Sequence, residues 1–399
     1  MSLLTKPTSV MVVLLAARVV NRLGGAGMGF LGVRLTRDLG VPLATTAGVL
    51  AAFGACTIPS RILGGVLTAR RGARTALVVG LLAAAVAQAV IAVAGSVEVV
   101  VAGVLLLGLA YEVVEPATQT AVAIGADPAR RASQFSLLWA SVSVAGVAAG
   151  VLAALVTRWG VGPLFALDAL TSLLAAVIVA ALLPALPAAR VPRAWRAALG
   201  RRLLAWTALC SIPSTVVMVV VLMLPVAVER SGRPPSTTAW LLAGAAASAL
   251  LTQRLLARFE PAVPARTVLA AGYALLGVAL GVWAVGGAAA LVVGAVLEGA
   301  AGTLVVGTQQ AVAARLAPRG AEAGVMTVQG LAWGVATVLA PVVGGVLLAR
   351  GERTLWLACA GVALALALGH VGAGSQRGRA DHPSPEPSAV GPEPSAAGR

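Results

Sequence analysis

The sequence predicts an all-α integral membrane protein with twelve transmembrane helices arranged as two six-helix bundles. Hydrophobic residues make up 59% of the chain and charged residues only 11%, and the mean hydropathy is +0.96, well outside the composition of a soluble domain. Apolar stretches long enough to cross a hydrocarbon core occur in two sets of six. A short sequence in the first set recurs in the second, which indicates two homologous halves in parallel order.

Each predicted span is a window of about 20 apolar residues, the length of a membrane-crossing helix. Spans 1 to 6 are predicted at 10–33, 43–66, 75–95, 97–122, 135–157 and 163–183. Spans 7 to 12 are predicted at 204–228, 237–257, 266–285, 289–314, 324–349 and 354–372. The domain limits that follow are an N-terminal bundle at 1–183, a basic linker at 184–203, a C-terminal bundle at 204–372 and a Pro- and Glu-rich disordered tail at 373–399.

The internal repeat lies at the end of span 4. Residues 118–123 read Thr-Gln-Thr-Ala-Val-Ala, and residues 308–313 in span 10 read Thr-Gln-Gln-Ala-Val-Ala. A fainter correspondence follows in the next span of each half, where Gln134 matches Gln329. Spans 4 and 10 are therefore expected to occupy equivalent places in the two halves.

The distribution of positive charge predicts the orientation, because Lys and Arg near span ends are retained in the cytoplasm. With the N-terminus inside, the cytoplasmic end and loops hold sixteen cations and the opposite loops hold seven. We therefore expect a multi-pass protein of the cell membrane with both termini and the linker in the cytoplasm. No small-residue cleavage site closes a short apolar core near the N-terminus, so we expect no cleaved signal peptide.

Composition and motifs argue against several functions. The net charge of +15 does not indicate a nucleic-acid-binding protein, because few charges within long apolar runs leave no room for a phosphate-binding face. The chain has no H-E-x-x-H, no G-x-S-x-G and no metal-spaced His or Cys cluster, so we do not expect an enzyme. Cys56, Cys210 and Cys359 are scattered through apolar runs as expected of packing residues. We expect a monomer without cofactor or metal.

Two six-helix halves in parallel order, joined by a basic linker, resemble the major facilitator superfamily of transporters. Residues 65–74, Gly-Val-Leu-Thr-Ala-Arg-Arg-Gly-Ala-Arg, are similar to its pattern G-x-L-A-D-R-x-G-R-R, with Ala69 in place of the acid. Residues 111–117, Tyr-Glu-Val-Val-Glu-Pro-Ala, resemble the Y-E-L-x-R-P-A stretch of bacterial drug-efflux members, with Glu115 where they carry arginine. Residues 165–172 of span 6 resemble the same members.

The resemblance implies a secondary active transporter, and the drug-efflux likeness implies a proton-coupled exporter of small amphipathic compounds. Its expected partners are a small-molecule substrate, protons and the lipid bilayer. Two proton-antiporter features are missing: the arginine expected before Gly108, and the G-P-x-x-G-G pattern of span 5, which is reduced at 146–150. The alternative is a non-transporting membrane sensor or assembly partner that retains the fold, which the loss of the loop acid at Ala69 favours.

Ionisable side chains inside a span need a partner or a wet cavity, because a charge at mid-membrane costs about 2.5–3.5 kcal/mol on insertion scales. Glu298 has no cation in its own or neighbouring spans and is expected to be protonatable. Asp168 lies near the outer end of span 6 and either functions or only meets solvent. The predicted set is Arg18 and Arg22 in span 1, Glu112 and Glu115 in span 4, Asp168 in span 6 and Glu298 in span 10.

The arginines of span 1 and the glutamates of span 4 are expected to meet. Their spacings of four and three residues put each pair on one helix face. The resemblance implies that both spans line a central cavity. The four groups then form a neutral structural lock or a proton-coupling site, in which Glu112 is the preferred acid with Arg18 or Arg22 as its partner. The third alternative is that they lie near the interface and only snorkel.

A second group of side chains is predicted to line the substrate cavity. Gln119 and Gln309 occupy matching positions in the two halves, where each either contacts substrate or bonds a neighbouring backbone. Tryptophans in the spans either line a cavity for drug-like molecules or anchor at the membrane interface. The predicted set is Asn21, Gln119, Trp139, Gln309, Gln310 and Trp333.

The loop between spans 2 and 3 is predicted to gate the cavity. Its glycines are expected to let span 2 approach span 11, and its arginines to pair with a helix end or a carboxylate. Ala69, where the superfamily has an acid, predicts a weak latch. The predicted gating residues are Gly64, Gly65, Arg70, Gly72 and Arg74.

The orientation leads to a labelling prediction. In a chain that lacks the three native cysteines, a single cysteine at Ala198 should react with a membrane-impermeant maleimide only from the cytoplasmic side. A cysteine at Ser231 should react only from outside, because the two positions flank span 7. Intact cells and inside-out vesicles provide the two measurements. Labelling of position 231 from the cytoplasmic side would contradict the orientation.

Overall fold

The computed structural model describes residues 9–125, 131–185, 200–259, 263–316 and 322–380, which are α-helical apart from short turns. Spans 1 and 4 are each broken into two helices, and a π-helical turn at Arg34–Asp38 ends span 1. The helices are Ser9–Gly24 and Gly27–Val33 (span 1), Leu43–Arg71, Ala73–Val93, Val97–Tyr111 and Val114–Gly125 (span 4), Arg131–Val156, Gly162–Leu182, Arg201–Arg230, Pro235–Phe259, Ala265–Val285, Ala288–Arg315, Glu322–Ala349 and Glu352–Ala380.

Within these residues, eleven helical segments are long and apolar enough to cross a membrane. The helix at the place of span 8, Pro235–Phe259, has 25 residues, a sufficient length to cross as well. The prediction of an all-α membrane protein with twelve spans is therefore confirmed.

Two predicted boundaries differ from the structure. Span 7 begins at Arg201, so Arg201 and Arg202 form its first turn rather than the end of the linker. Span 12 continues to Ala380, past the predicted start of the tail at 373, because the first proline after it is Pro383. Most of the predicted linker, 186–199, and the rest of the tail, 381–399, lie outside the described residues.

The two six-helix bundles share one pattern of neighbours. In the first half, span 1 packs on spans 5 and 6, span 4 packs on spans 2 and 3, and span 3 packs on span 6. In the second half, span 7 packs on spans 11 and 12, span 10 packs on spans 8 and 9, and span 9 packs on span 12. Spans 4 and 10 occupy equivalent places, which agrees with the repeat in the sequence.

Close helix contacts join the halves where spans 1, 2 and 5 meet spans 7, 11 and 8, respectively. Glycine permits these contacts because it has no side chain to separate the backbones. A Cβ atom on Gly54 of span 2 would overlap the carbonyl oxygen of Thr337 in span 11. A Cβ atom on Gly150 of span 5 would lie 2.7 Å from Cα of Ala243 in span 8.

The apolar core is continuous on one side of the membrane and divided on the other. We call the end that carries residues 70–74 the loop side, and the opposite end the far side. One far-side core contains residues of both halves, including Phe30 and Met223. The loop-side cores stay within one half each, around Leu14 in the first and around Val328 and Tyr273 in the second. The apolar core of the described residues therefore joins the two halves on the far side, whereas on the loop side each half has its own core.

The Gly54 contact predicts the effect of added bulk. Gly54→Val should weaken the far-side seal by about 1–3 kcal/mol, because the new side chain overlaps backbone atoms of span 11. Spin labels at Arg37 and Ser231, on the far-side ends of the two halves, should then report longer distances by pulsed electron paramagnetic resonance. Gly48→Val is the matched control, since a Cβ atom at Gly48 of the same span meets nothing within 4 Å. Equal distances in both variants would contradict this role for Gly54.

Candidate functional site

The site is organised by a break in span 4. The first helix ends at Tyr111 and the second begins at Val114. Pro116 explains the break: it has no N–H to donate to the carbonyl of Glu112, and its ring would clash with that carbonyl in a continuous helix. At the break, the backbone N–H of Glu112 donates to Oγ of Ser60 in span 2, at 3.0 Å.

Glu112 forms an ion pair with Arg61 of span 2, in which Nη1 donates to Oε2 at 3.1 Å. The prediction that Glu112 pairs with Arg18 or Arg22 is therefore wrong. Arg61 also lies inside a predicted span and was missing from the set of ionisable residues. Its position in the sequence is the signal that could have identified it: it lies about ten residues, or roughly 15 Å, inside the end of the helix Leu43–Arg71.

Glu115 forms the second ion pair, with Arg18 of span 1. Nη2 of Arg18 donates to Oε2 of Glu115 at 3.1 Å, and Nε2 of Gln119 donates to Oε1 at 3.1 Å. The spacing of Glu112 and Glu115 predicts one shared helix face, but the break between them turns the two carboxylates to different spans. The four predicted residues therefore form two separate ion pairs or remain unpaired, and they do not form one cluster. Gln119 adds a hydrogen bond to the glutamate of the Arg18–Glu115 pair.

Arg22 lies one turn beyond Arg18 and is exposed. Within the described part of the chain it has no carboxylate within ion-pair distance. Its guanidinium group lies beside Gly146 of span 5, where a Cβ atom would be 3.7 Å from Nε. Arg22 is therefore an exposed cation in the middle of span 1.

Asp168 of span 6 accepts a hydrogen bond from the backbone at the break in span 1. It is only 2% exposed, so the prediction that it meets solvent is wrong. Its Oδ2 accepts a hydrogen bond of 3.0 Å from the backbone N–H of Gly27, the first residue after the break. Gly24 and Gly27 pack directly on span 6, since a Cβ atom on either would overlap Asp168 or Thr171. Asp168 thus satisfies a backbone donor that the break exposes.

Asn21, predicted to line the substrate cavity, instead joins span 1 to span 6. Its Nδ2 donates to Oγ of Ser172 at 3.1 Å. Ser172 is in turn hydrogen-bonded to the side chain of Gln88 in span 3, also at 3.1 Å. These contacts link three spans within the first half.

The second half carries a different polar arrangement. Gln309 is buried, and its Nε2 donates to the hydroxyl of Tyr273 at 3.0 Å, whereas Gln310 is exposed. The indole of Trp206 donates to the backbone carbonyl of Gln309 at 3.3 Å. Gln309 therefore bonds neighbours within its own half. Glu298, at the middle of span 10, forms no ion pair with any described residue, in agreement with its expected isolation.

Of the two tryptophans predicted to line the cavity, the structure describes the side chain of only one. Trp333 is half-buried and packs against the core that seals the far side. The side chain of Trp139 lies outside the described part of the chain. No group of three His, Cys, Asp or Glu residues suited to a metal ion occurs among the described residues.

The predicted gating loop makes its contacts within the first half. Gly72 adopts φ 84°, a conformation that favours glycine, and ends span 2. Arg74 donates to the carbonyl of Ala180 in the last turn of span 6, as expected of an arginine at a helix end. Gly64 packs on the backbone of Val113 in span 4, while Gly65 meets nothing within 4 Å. The glycine that approaches span 11 is therefore Gly54, which the prediction omitted.

Arg61 also reaches across the boundary between the halves. Its guanidinium group lies so close to Gly330 of span 11 that a Cβ atom there would overlap it. The side chains of Arg61 and Glu112 are 15% and 22% exposed, so the pair is partly shielded from water. One of the two ion pairs of span 4 is thus in contact with the second half.

Comparison with known proteins agrees with this architecture. The sequence matches the family model described as Major Facilitator Superfamily over residues 14–262. No curated protein matches the sequence. The solved structure of nucleoside transporter NupG is similar with a TM-score of 0.74 at 14% identity, over 91% of this chain and 98% of that one.

Two further solved structures share the fold. Peptide transporter POT in complex with sulfate gives a TM-score of 0.74 at 16% identity, over 93% of this chain and 95% of that one. A POT family transporter in complex with 5-aminolevulinic acid gives a TM-score of 0.77 at 12% identity, over 92% of this chain and 96% of that one. The family match covers more than half of the chain, and the twelve-span fold agrees with it. The protein belongs to the Major Facilitator Superfamily and is a membrane transporter rather than an enzyme.

Proposed function

We propose that the protein is a proton-coupled secondary transporter that exports small amphipathic compounds, and that Glu112 is the acid that exchanges the proton. The position of the Arg61–Glu112 ion pair carries this proposal. Its arginine lies against Gly330 of the opposite half, so the pair is at a contact that must change when the halves move. Export is inferred from the resemblance of residues 111–117 and 165–172 to drug-efflux members.

Movement between the halves supplies the coupling. In alternating access, one bundle rocks against the other around a central site. Such rocking changes how span 2 packs on span 11, and with it the contact between Arg61 and Gly330. A low-dielectric site favours a neutral carboxyl group and an arginine partner favours the charged one, so a change in their separation moves a proton.

We assign a structural role to the Arg18–Glu115 pair. Its described hydrogen bonds and ion pair join span 1 to span 4 inside the first half, so they are not altered by a rigid-body movement of that half. The two pairs on span 4 therefore differ in the one property that coupling requires, contact with a surface that moves.

We assign substrate binding to Arg22. A charge at mid-membrane is tolerated where it faces a water-filled cavity, and Arg22 is exposed without a described carboxylate partner. Its planar guanidinium group matches a carboxylate or phosphate in two-point hydrogen bonding. We therefore expect an amphipathic substrate with an anionic end. Small organic solutes are carried on this fold by the similar nucleoside and peptide transporters.

The alternative function is a membrane sensor or assembly partner that retains the fold. The loop between spans 2 and 3 favours it, because Ala69 stands where the superfamily pattern has an acid, and Arg70 is exposed without a partner among the described residues. Substrate movement by the reconstituted protein under a pH gradient separates a transporter with a weak latch from a sensor that moves nothing.

Glu112→Gln tests the coupling role, because it keeps the side-chain shape and mimics the protonated state. We expect substrate binding to persist and pH-driven transport in reconstituted vesicles to fall by about tenfold or more. Glu115→Gln is the matched control, since it alters the other ion pair of the same span. This control protein should retain proton-driven transport once it is folded.

Full proton-driven activity of Glu112→Gln would contradict the proposal. If that variant fails to accumulate, the addition of Arg61→Leu removes the uncompensated charge, which costs about 3–5 kcal/mol in a fully buried pair. Restored accumulation without transport supports the coupling role. Restored transport would assign both residues to structure.

Arg22→Gln tests the substrate site. The change leaves no described carboxylate unpaired, so the protein should accumulate normally. We expect KM for an anionic amphiphile such as fluorescein to rise about tenfold, the loss of roughly one charge-assisted hydrogen bond, while kcat changes less. Arg22→Lys, which keeps the charge, should recover part of the affinity. Transport of cationic rhodamine 6G in preference to fluorescein would contradict this assignment.

A further inference from the structure

A groove on the first half is not used by the proposed transport mechanism. It lies between spans 2, 3 and 4 and has a volume of about 520 Å³. Most of its lining is aliphatic, and two arginines, Arg70 and Arg71, stand at its loop-side end. The groove opens outward, since five of its apolar side chains are 39% to 54% exposed: Leu63, Val66, Val79, Leu106 and Leu109.

The two arginines carry charge that the described residues do not neutralise. Both are exposed in the last turn of span 2, and neither has a hydrogen-bond or carboxylate partner within the described part of the chain. Arg74, two residues into span 3, is different because it donates to the carbonyl of Ala180. Ala69 supplies no acid beside them. The loop-side end of the groove therefore carries two positive charges that no described residue neutralises.

The dimensions of the groove suit a lipid. Its wall on span 2 runs from Leu63 to Arg71, about 12 Å at 1.5 Å per residue. A molecule that fills it needs an apolar chain along the wall and a negative group at the arginines. Guanidinium groups bind phosphate in two-point hydrogen bonds, and basic pockets between transmembrane helices bind anionic head groups.

We infer that this groove binds an anionic phospholipid, whose phosphate pairs with Arg70 and Arg71 and whose acyl chain lies between spans 2, 3 and 4. Ala110 and Val113 line the groove beside the break in span 4. Gly64 holds Val113 closely, since a Cβ atom on Gly64 would be 2.7 Å from Cα of Val113. The bound lipid thus packs on the residue next to Glu112. The inference does not depend on the direction or substrate of transport.

Native mass spectrometry of the full-length protein tests this inference. The protein is mixed with equal amounts of phosphatidylglycerol and phosphatidylcholine that carry the same acyl chains. We expect it to retain phosphatidylglycerol preferentially. Replacement of both arginines, Arg70→Ala with Arg71→Ala, should lower that retention by about tenfold or more, because each contributes about 1 kcal/mol to anionic-lipid attraction. Val66→Trp, which fills the groove and keeps both arginines, should lower it as well.

The matched control replaces the two exposed arginines at the loop-side start of span 7, Arg201→Ala with Arg202→Ala. It removes the same charge from the same side and should leave retention unchanged. An equal loss in this control would show general surface attraction and overturn the site. No lipid preference in the unmodified protein, or full retention by Val66→Trp, would overturn it too. If the alanine variant is not monodisperse, Arg70→Gln with Arg71→Gln repeats the measurement.

Discussion

The cost of a charge in the membrane interior governs how the first half is built. An unpaired charge at mid-membrane costs several kcal/mol, so a buried carboxylate needs a cation nearby. Span 4 carries two carboxylates, and each has its own arginine at 3.1 Å, Arg18 for Glu115 and Arg61 for Glu112. Because these arginines come from spans 1 and 2, the pairs connect three spans. Arg22 is exposed and has no ion-pair partner among the described residues.

A related constraint applies to the two broken spans. A helix break exposes backbone groups that lipid cannot satisfy, so protein atoms must do so. Asp168 accepts the hydrogen bond of Gly27 at the break in span 1, and Ser60 accepts that of Glu112 at the break in span 4. Each break is thus bonded to a neighbouring span.

The two halves share a fold but differ in chemistry. Spans 4 and 10 carry the same short sequence and occupy equivalent places in their bundles. Gln119 in the first half supports an ion pair, whereas Gln309 in the second donates to Tyr273. Within the described residues, the ion pairs that involve span interiors lie in the first half, and Glu298 of the second half has no cation beside it. The fold is preserved by packing, while the polar side chains diverge.

The sequence by itself determined the fold class, because apolar length and composition decide whether a helix crosses a membrane. It also indicated the equivalence of spans 4 and 10, the isolation of Glu298 and the residue types that form the ion pairs. The tertiary structure decided which residues pair. The break at Pro116 rotates Glu112 away from Glu115, and Arg61 comes from a span far away in the sequence. The same holds for Gly54 and Asp168, whose contacts with span 11 and span 1 depend on how whole helices pack. Helical periodicity describes one helix at a time, whereas a contact between spans depends on the position and rotation of two.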